Sequence, residues 1–313
     1  MRFRGIMVSA PQLVAAMVVL SITACSEDTT IEDVEGRTPE FIARWGQRGT
    51  GDGEFDDPYG VAVAPNGNVY VADTNNHRAE YFTPAGSFIG KWDIPTAWPS
   101  PGAIAIVPSG NVYFISPYTS EVIFYSPSGS RIGSWGSHGT GKGQFKWPRA
   151  VAGSLYNTIY VIDGNERIQY FTEEGEYLGE WGSYGTGPGE FNKGSGLSVS
   201  PRGVVYVADS RNSRIQYFSA TGEYLGEWGR RGAAPGEFDE PVSVAVGPEG
   251  TVFVVDYNNR CVQYFSPTGS FIGKFGKGGV GKGEFVFPYG IAVTDRRVIY
   301  VTDIYGDWVQ YFH

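Results

Sequence analysis

The sequence predicts an all-β protein, and three features carry this prediction: the composition, an internal repeat, and a regular alternation of short apolar segments with turn residues. Glycine accounts for 45 of the 313 residues, aromatic residues make up 15% and charged residues only 18%. A glycine inside a helix costs about 1 kcal/mol relative to alanine, so this composition disfavours a helical bundle. Disordered chains have high charge and few aromatic residues, and this sequence has neither property.

The repeat is the strongest of the three features. One marker is a tryptophan, usually followed by glycine and replaced by phenylalanine in the last copy, and the other is a pair of aromatic residues. Both recur at spacings of 43 to 47 residues. The first marker falls at Trp45, Trp92, Trp135, Trp181, Trp228 and Phe275. The second begins at Tyr81, Phe124, Tyr170, Tyr217, Tyr264 and Tyr311. Two independent markers with matching spacings indicate one structural unit that occurs six times.

Each repeat resolves into four short strands. In the fourth repeat the predicted strands are 196–199, 204–208, 214–218 and 224–228, and turn residues separate them. Longer glycine-rich connections lead from one repeat into the next. Four strands in about 45 residues are typical of a β-propeller blade, which buries both faces only between other blades. The sequence therefore predicts a six-bladed β-propeller of four-stranded antiparallel blades.

The two ends of the repeat region predict how the ring closes. The region begins with a fourth-strand motif at 41–46, and the chain ends just after a third-strand motif. We therefore expect 41–46 to complete the blade formed by 288–313. The predicted organisation is a signal segment at 1–24, an acidic flexible tether at 25–40 and a propeller at 41–313.

The first 24 residues have the features of a bacterial lipoprotein signal peptide. Two arginines precede an apolar stretch from residue 6 to 22, which is interrupted and of marginal length for a transmembrane helix. The segment ends in Ile-Thr-Ala-Cys25, which resembles a lipobox, whose cysteine receives diacylglycerol and becomes the mature N-terminus. We expect an exported protein that is lipid-anchored through Cys25 to a bacterial cell-envelope membrane. Ordinary secretory cleavage near Ala24 is the alternative.

The repeat resembles the NHL repeat family. The resemblance rests on Pro-Tyr-Gly-Val-Ala-Val at 58–63, Asn-Val-Tyr-Val-Ala-Asp at 68–73 and Asn-His-Arg at 76–78, and it extends over about 41–313. It implies a six-bladed propeller. Among similar propellers, amidating lyases hold zinc with histidines from different blades, and sugar lactonases hold calcium with acidic and amide side chains in the channel. Some NHL propellers bind RNA through a strongly basic face.

Residues that recur from blade to blade belong to the scaffold. An aspartate ends the second strand in five repeats and an arginine begins the third strand in three, so we expect Asp–Arg pairs that cap these loops. A phenylalanine in the interblade loops is expected to fill the gap between blades. The aspartates are Asp73, Asp163, Asp209, Asp256 and Asp303, and the arginines are Arg78, Arg167 and Arg214. Cys261 lies in a strand motif, where a buried, unreactive thiol is expected.

Positions that differ between repeats are the candidates for a site. Each inner strand contributes one residue at the mouth of the channel, and alignment gives Tyr59, Gly102, Arg149, Ser195, Val242 and Tyr289. Arg149 is the one charged member of this set, and Lys142 and Lys146 are close to it in sequence. Since Tyr and Arg often dominate binding energy, we expect a binding face that carries Tyr59, Arg149, Tyr289, Lys142 and Lys146. The alternative is that Arg149 only solvates the mouth.

The charge distribution and the histidines bear on the function. The net charge is −9, and basic and acidic residues are balanced in the interblade loops, so no nucleic-acid partner is expected. His77 and His138 are predicted on one face and His313 on the other, so they do not form one zinc site. We expect a non-catalytic binding or scaffold propeller without metal or cofactor, whose ligand is a protein, a peptide or a glycan. A metal-dependent lyase or lactonase acting at the channel mouth is the alternative.

Overall fold

The computed structural model of the chain describes residues 38–94 and 102–313. The predicted signal segment, Cys25 and most of the tether lie outside these residues, as does the segment 95–101. Within the described ranges, six four-stranded antiparallel sheets follow one another along the chain. The described residues also include one turn of 3-10 helix, Ser210–Asn212. No helix among them is long and apolar enough to cross a membrane. The predicted all-β, six-bladed propeller is confirmed.

The strands are numbered along the chain, and four of them form each blade. β1 (Phe41–Trp45) comes first and belongs to blade 6. Blade 1 contains β2 (Pro58–Val63), β3 (Val69–Asp73), β4 (Arg78–Phe82) and β5 (Phe88–Asp93). Blade 2 contains β6 (Ile104–Ile106), β7 (Val112–Ser116), β8 (Glu121–Tyr125) and β9 (Arg131–Trp135). The two-residue strands β10 (Ser137–His138) and β11 (Gln144–Phe145) lead into blade 3, which contains β12 (Ala150–Gly153), β13 (Thr158–Ile162), β14 (Ile168–Thr172) and β15 (Tyr177–Trp181).

The remaining blades repeat this arrangement. The short strands β16 (Ser183–Tyr184) and β17 (Glu190–Phe191) lead into blade 4, which contains β18 (Gly194–Val199), β19 (Val205–Asp209), β20 (Arg214–Phe218) and β21 (Tyr224–Trp228). Blade 5 contains β22 (Pro241–Val246), β23 (Val252–Asp256), β24 (Cys261–Phe265) and β25 (Phe271–Phe275). Blade 6 combines β26 (Pro288–Val293), β27 (Ile299–Asp303) and β28 (Trp308–Phe312) with β1. Second strands such as β3 are buried at every residue, whereas outer strands such as β5 alternate in burial.

β1 closes the ring, as the register of the chain ends predicts. It pairs antiparallel with β28, with Trp45 opposite Val309, and the sheet order of blade 6 is β1-β28-β27-β26. The backbones of Glu40 and His313 add two hydrogen bonds of 2.9 and 3.1 Å at the end of this pair. Blade 6 is therefore built from both ends of the propeller.

Aromatic side chains join neighbouring blades face to face. The interblade phenylalanines are fully buried, as expected, and they are Phe55, Phe145, Phe191, Phe238 and Phe285. In blade 4 the ring of Phe218 lies between Phe191 and Trp181 of blade 3, with ring centroids 5.8 Å from each. Burying one such side chain stabilises the fold by about 1.5–3 kcal/mol, so these contacts dominate the cohesion of the ring.

Asp–Arg pairs tie the interblade loops to the blades. In blade 4, Asp209 accepts hydrogen bonds from the Asn192 N–H at 2.8 Å and from Arg214 Nε at 2.9 Å. Arg214 also donates to the carbonyl oxygens of Thr186 and Glu190 in the interblade loop, at 2.7 and 2.8 Å. The expected pair is therefore present and is part of the scaffold.

Blade 3 departs from the predicted boundaries. Asp163 follows β13 instead of ending it, and Arg167 precedes β14 instead of beginning it. Their side chains are correspondingly farther apart, with Arg167 Nε 3.9 Å from Asp163 Oδ2. In blade 4 the first strand begins at Gly194 rather than at residue 196, because a bulge adds residues to its start.

Cys261 is buried at the start of β24, and burial raises the pKa of its thiol to about 12. It lies opposite Asp256, in the register position that Arg214 occupies opposite Asp209 in blade 4. The buried thiol therefore replaces a scaffold arginine, and it is protonated at neutral pH.

In five of the six described blades, a tyrosine hydroxyl from the second strand joins the blade to the next one. Each donates to a carbonyl oxygen in the turn between the third and fourth strands of the neighbouring blade, at 2.9–3.2 Å, and the donors are Tyr70, Tyr113, Tyr160, Tyr206 and Tyr300. Blade 5 carries Phe253 at this position. The neighbouring blade 6 has no such turn, because His313 and Glu40 are found there instead. The missing hydroxyl therefore follows from the way the ring closes.

The outer strand of blade 5 has a phenylalanine in place of the repeat tryptophan, and the way the ring closes again explains the difference. In five blades the turn between third and fourth strands contains a glycine against the tryptophan of the preceding blade. Gly269, for example, has φ +93°, and an ideal Cβ there would lie 2.6 Å from the ring of Trp228. Blade 5 ends in Phe275, which instead contacts Phe312 with ring centroids 4.7 Å apart. Blade 6 offers no glycine turn for a tryptophan at this place.

Candidate binding site at the channel mouth

The inner strands surround a cavity of about 260 Å³ at one end of the central channel. The interblade loops and the loops between second and third strands lie at this end, and the short glycine and proline turns lie at the other. The six positions that the repeat alignment assigns to the mouth all line this cavity: Tyr59, Gly102, Arg149, Ser195, Val242 and Tyr289. They form its rim, and they differ in size and charge from blade to blade.

The residues that follow this rim are all small, which lets the inner strands approach one another. They are Gly60, Ala103, Ala150, Gly196, Ser243 and Gly290. An ideal Cβ on Gly290 would lie 2.3 Å from the carbonyl oxygen of Tyr59 and 2.8 Å from Thr302 Oγ1. Below them the walls are aliphatic, formed by Ile104, Ile115, Leu197, Val244 and Ile291. The cavity therefore has a polar and aromatic rim above an apolar interior.

Arg149 contributes one positive charge to the rim. Its Nη1 donates to Glu166 Oε1 at 2.9 Å, and the two side chains are 28% and 10% exposed. Glu166 also accepts a hydrogen bond from the Gly194 N–H at 3.2 Å, so it links blade 3 to blade 4. Glu166 itself does not line the cavity. The carboxylate therefore fixes the guanidinium through Nη1, and Arg149 lines the cavity.

Lys193 contributes a second positive charge, which the repeat alignment missed. Lys193 lines the cavity, and its Nζ lies 2.5 Å from Glu240 Oε1. The Asn258 amide is 3.4 Å from the other carboxylate oxygen of Glu240. Glu240 is also absent from the cavity lining. Both cations at the mouth are thus paired with carboxylates that stand outside the cavity.

A fixed backbone position explains what the alignment missed. The residue just before the proline-like position of the repeat has left-handed φ in four blades: Asp57 (+54°), Trp147 (+51°), Lys193 (+59°) and Glu240 (+64°). The four side chains are an acid, an aromatic ring, a base and an acid. This recurring position varies as strongly as the rim itself, and that variation is the sequence signal that points to Trp147 and Lys193.

Two pairs of aromatic side chains flank the charged residues. The rings of Tyr59 and Tyr289 lie 4.6 Å apart at an angle of 56°. Burial raises the pKa of both phenols, so both are neutral at pH 7. On the other side, Trp147 and Tyr118 form an edge-to-face pair 4.8 Å apart, and each is about half exposed, at 47% and 48%. Exposed aromatic pairs beside a cavity are typical of binding surfaces.

The two predicted lysines lie apart from the cavity. Lys142 and Lys146 are exposed, and neither lines it. Lys142 Nζ lies 5.3 Å from the ring centroid of Tyr177 in the outer strand β15. The backbone N–H of Lys146 donates to Asp163 at 3.3 Å. The structure therefore brings Tyr59, Arg149 and Tyr289 to one cavity and leaves the lysines on the surrounding face.

One group of carboxylates in the described residues is close enough to share an ion. Oxygen atoms of Asp56, Asp57 and Asp307 lie within 4.8 Å of one another. The Asp57 N–H donates to Asp307 at 3.1 Å, and Asn75 donates to Asp57 at 2.9 Å. Burial, followed by repulsion between the carboxylates, raises the pKa of Asp57. These three aspartates lie at the junction of blades 6 and 1, outside the cavity lining, and no histidine joins them.

Comparison with known proteins identifies the repeat. Three segments, 55–78, 191–218 and 238–265, match the NHL repeat family. Protein lin-41 of Caenorhabditis elegans is 39% identical over 69 residues, which are 20% of this chain and 6% of that protein. The chain therefore spans only a small part of the length of this relative.

Solved structures show the same architecture over most of the chain. A streptogramin B lyase has a TM-score of 0.63 and 13% identity, covering 88% of this chain and 98% of its own. A protein of unknown function from Bacteroides thetaiotaomicron has a TM-score of 0.67 and 18% identity, covering 88% of this chain and 76% of its own. At such identities the likeness shows the fold alone. In the residues that the structure describes, the chain is thus a six-bladed β-propeller, three segments of which match the NHL repeat family.

Proposed function

We propose that the chain is a non-catalytic, membrane-anchored binding propeller that recognises a protein, peptide or glycan partner through the face around the channel mouth. The observation that carries this proposal is the cavity itself, which combines an apolar interior with Arg149 and the Tyr59–Tyr289 pair at its rim. Concave apolar sites with a few convergent polar groups are where proteins most often bind ligands.

The asymmetry of the ring supports the same proposal. The six rim positions are equivalent in the repeat, yet their residues differ from blade to blade. Here those positions carry the residue types that dominate binding energy, and the exposed Trp147–Tyr118 pair extends the surface outward. The opposite face consists mostly of short turns, which offer little area for contact.

Catalysis and nucleic-acid binding are less well supported. A zinc or calcium enzyme would need imidazole or carboxylate ligands at the cavity, and its described lining contains neither. The likeness to streptogramin B lyase lies in the fold, at 13% identity. The net charge of −9 and the balance of basic and acidic residues in the interblade loops disfavour binding along a phosphate backbone.

Photo-cross-linking in the cells that make the protein tests the proposed face. A benzophenone amino acid is introduced in the full chain at the exposed Lys146, beside the mouth, or at the exposed Arg202, on the opposite face. We expect covalent adducts from position 146 and none from position 202. Adducts from position 202 alone would place the binding surface on the opposite face and contradict the proposal.

Substitution at the rim then tests the named residues. Arg149→Ala combined with Tyr289→Ala should weaken binding of the captured partner by at least about 1–2 kcal/mol, or roughly 5- to 30-fold. Arg202→Glu should change it little. Thermal melts of each variant verify that the propeller remains folded. Unchanged affinity in the double variant would contradict the assignment of these residues.

A further inference from the structure

We infer that the cavity takes the C-terminal residue of a partner polypeptide, with an apolar side chain inside and the free α-carboxylate against Arg149 and Lys193. This inference rests on the proposed function, because it names the chemistry of the ligand for the same face. Three observations carry it: the size and walls of the cavity, the sign of the charges that touch it, and the scarcity of neutral polar groups along its lining.

The cavity is sized for a single residue. Its volume of about 260 Å³ is below the roughly 300–1,000 Å³ of pockets that enclose drug-sized ligands. Leu197, Val242 and Ile291 line it from three blades, so a branched or aromatic side chain would contact apolar groups on several sides. Each Å² of apolar surface buried there contributes about 25 cal/mol to binding.

The charges that touch the cavity favour an anion. Arg149 and Lys193 line it, whereas no aspartate or glutamate is among its described lining residues. A guanidinium has five N–H donors and an ammonium has three, and Glu166 and Glu240 each engage one of them. The remaining N–H groups can donate to a carboxylate, and the two glutamates hold the cations in place. A charge-assisted pair of this kind is about twice as strong as a neutral hydrogen bond.

The lining also distinguishes among ligands that carry a carboxylate. A glycan would present many hydroxyl groups, but among the described lining residues the neutral side chains with polar atoms are Tyr59, Trp147, Ser195, Ser243 and Tyr289. Ser195 already donates to the Lys193 carbonyl at 3.0 Å. A glutamate within a peptide would bring a charge but no apolar group to fill the cavity. A chain terminus supplies both from one residue, and the residues before it can lie across Trp147 and Tyr118.

A peptide panel tests this inference with the full chain in detergent micelles. Ten-residue peptides that end in Leu, Ile, Val, Phe or Tyr are made in pairs, one with a free C-terminal carboxylate and one with a C-terminal amide. Fluorescence anisotropy should show that at least one free acid binds ten-fold or more tightly than its amide. Arg149→Gln should abolish this preference. Arg202→Gln, on the opposite face, should leave it unchanged.

A variant of the carboxylate behind the arginine separates binding from a structural role. Glu166→Gln frees the guanidinium, so it should tighten binding of the free acid without tightening that of the amide. If Arg149 served only to pair with Glu166, neither variant would alter the ratio of the two affinities, and the inference would be wrong. Melting temperatures establish that both variants fold.

The remaining outcomes keep the two proposals distinguishable. Equal affinity for acids and amides would overturn the inference while leaving the binding face intact. Binding of a panel of neutral and carboxylated oligosaccharides, with none of the peptides bound, would also overturn it in favour of a glycan ligand. If neither panel binds and position 146 gives no photo-adduct, the inference and the proposed function fail together.

Discussion

Glu80 is the one buried carboxylate that occupies a glutamine position of the repeat. In blades 3 to 6 a glutamine on the third strand bonds to the interblade loop, and these residues are Gln169, Gln216, Gln263 and Gln310. Blade 1 has Glu80, which accepts from the Gly53 N–H at 3.1 Å and lies 3.0 Å from Arg78 Nη2. Burial raises the pKa of this carboxyl to about 7, despite the opposing effect of Arg78. The ionised form is therefore unfavourable in the folded state.

This raised pKa predicts that Glu80→Gln increases the free energy of unfolding by an amount that depends on pH. The folded protein holds the proton up to about pH 7, whereas the unfolded chain releases it near 4.5. Stability contributed by the neutral carboxyl is thus fully present below pH 4.5 and is lost as the pH rises through 7. At pH 8 the variant should be more stable than the parent by about 1–3 kcal/mol, and at pH 4 the two should be alike. Urea unfolding at both pH values measures the difference.

The reverse exchange in blade 4 is the matched control. Gln216→Glu places a carboxyl at the same repeat position, where the glutamine donates to the Glu190 carbonyl oxygen and to Asp209. It should lower the free energy of unfolding at pH 8 far more than at pH 4. If both variants behaved identically at the two pH values, the protonation of this position would have no bearing on stability.

The hydrogen bonds from second-strand tyrosines to the next blade predict that two opposite substitutions affect stability unequally. Tyr206→Phe removes a hydrogen bond of 3.0 Å to the Pro267 carbonyl and should cost about 1 kcal/mol of stability. Phe253→Tyr adds a hydroxyl where blade 6 has no turn to accept it, so it should bring no gain. Chemical unfolding of both variants checks this. A gain from Phe253→Tyr equal to the loss from Tyr206→Phe would show that an acceptor exists there.

Among the strands, β1 is the one on which closure depends. Its Trp45 ring lies 5.6 Å from Phe82 of blade 1 and 6.0 Å from Tyr300 of blade 6, and Phe41 packs on Phe312. Losing these two side chains would each remove about 1.5–3 kcal/mol of burial, out of a typical total of about 5–15 kcal/mol. Deleting 41–46 should therefore open or unfold the ring, whereas deleting 26–39 should not. Equal melting temperatures for the two deletions would contradict the role of β1.

The strands and their order were predictable because each blade repeats the same local pattern. Repetition identified Tyr59, Arg149 and Tyr289 as departures, and all three line the cavity. It did not reveal Lys193, because the alignment compared only the first residue after the proline-like position. Nor did it reveal that Arg149 pairs with Glu166. Glu166 lies in the loop between the second and third strands of blade 3, where its own backbone has left-handed φ. Such pairings depend on three-dimensional neighbours that no repeat pattern encodes.

For the molecule as a whole, the proposed lipid anchor at Cys25 would determine where the propeller resides. Two or more acyl chains anchor a protein firmly, because each buried CH₂ contributes about 0.8 kcal/mol. We expect Cys25→Ala to release the protein from the membrane fraction or to leave its leader uncleaved. Mass spectrometry of the wild-type N-terminus should find lipid on Cys25. Wild-type protein that fractionates as soluble and carries no lipid would rule the anchor out.

The hydrogen-bonded meeting of Glu40 and His313 has a consequence for circular permutation. Chain ends that lie close together usually tolerate being joined and reopened elsewhere. A short linker from 313 to 40, with a new break at 267–269, would move the seam from blade 6 to blade 5. Tyr206 would then lose its acceptor and Trp228 its glycine.

Blade 4 of that permutant would thus be left in the position that blade 5 occupies in the native chain. We expect it to regain stability when Tyr206 and Trp228 are both changed to phenylalanine, the pair that blade 5 already carries at 253 and 275. The same two changes should destabilise the unpermuted protein. The two phenylalanines of blade 5 would then be adaptations to the position of the ring closure, which lies in the next blade.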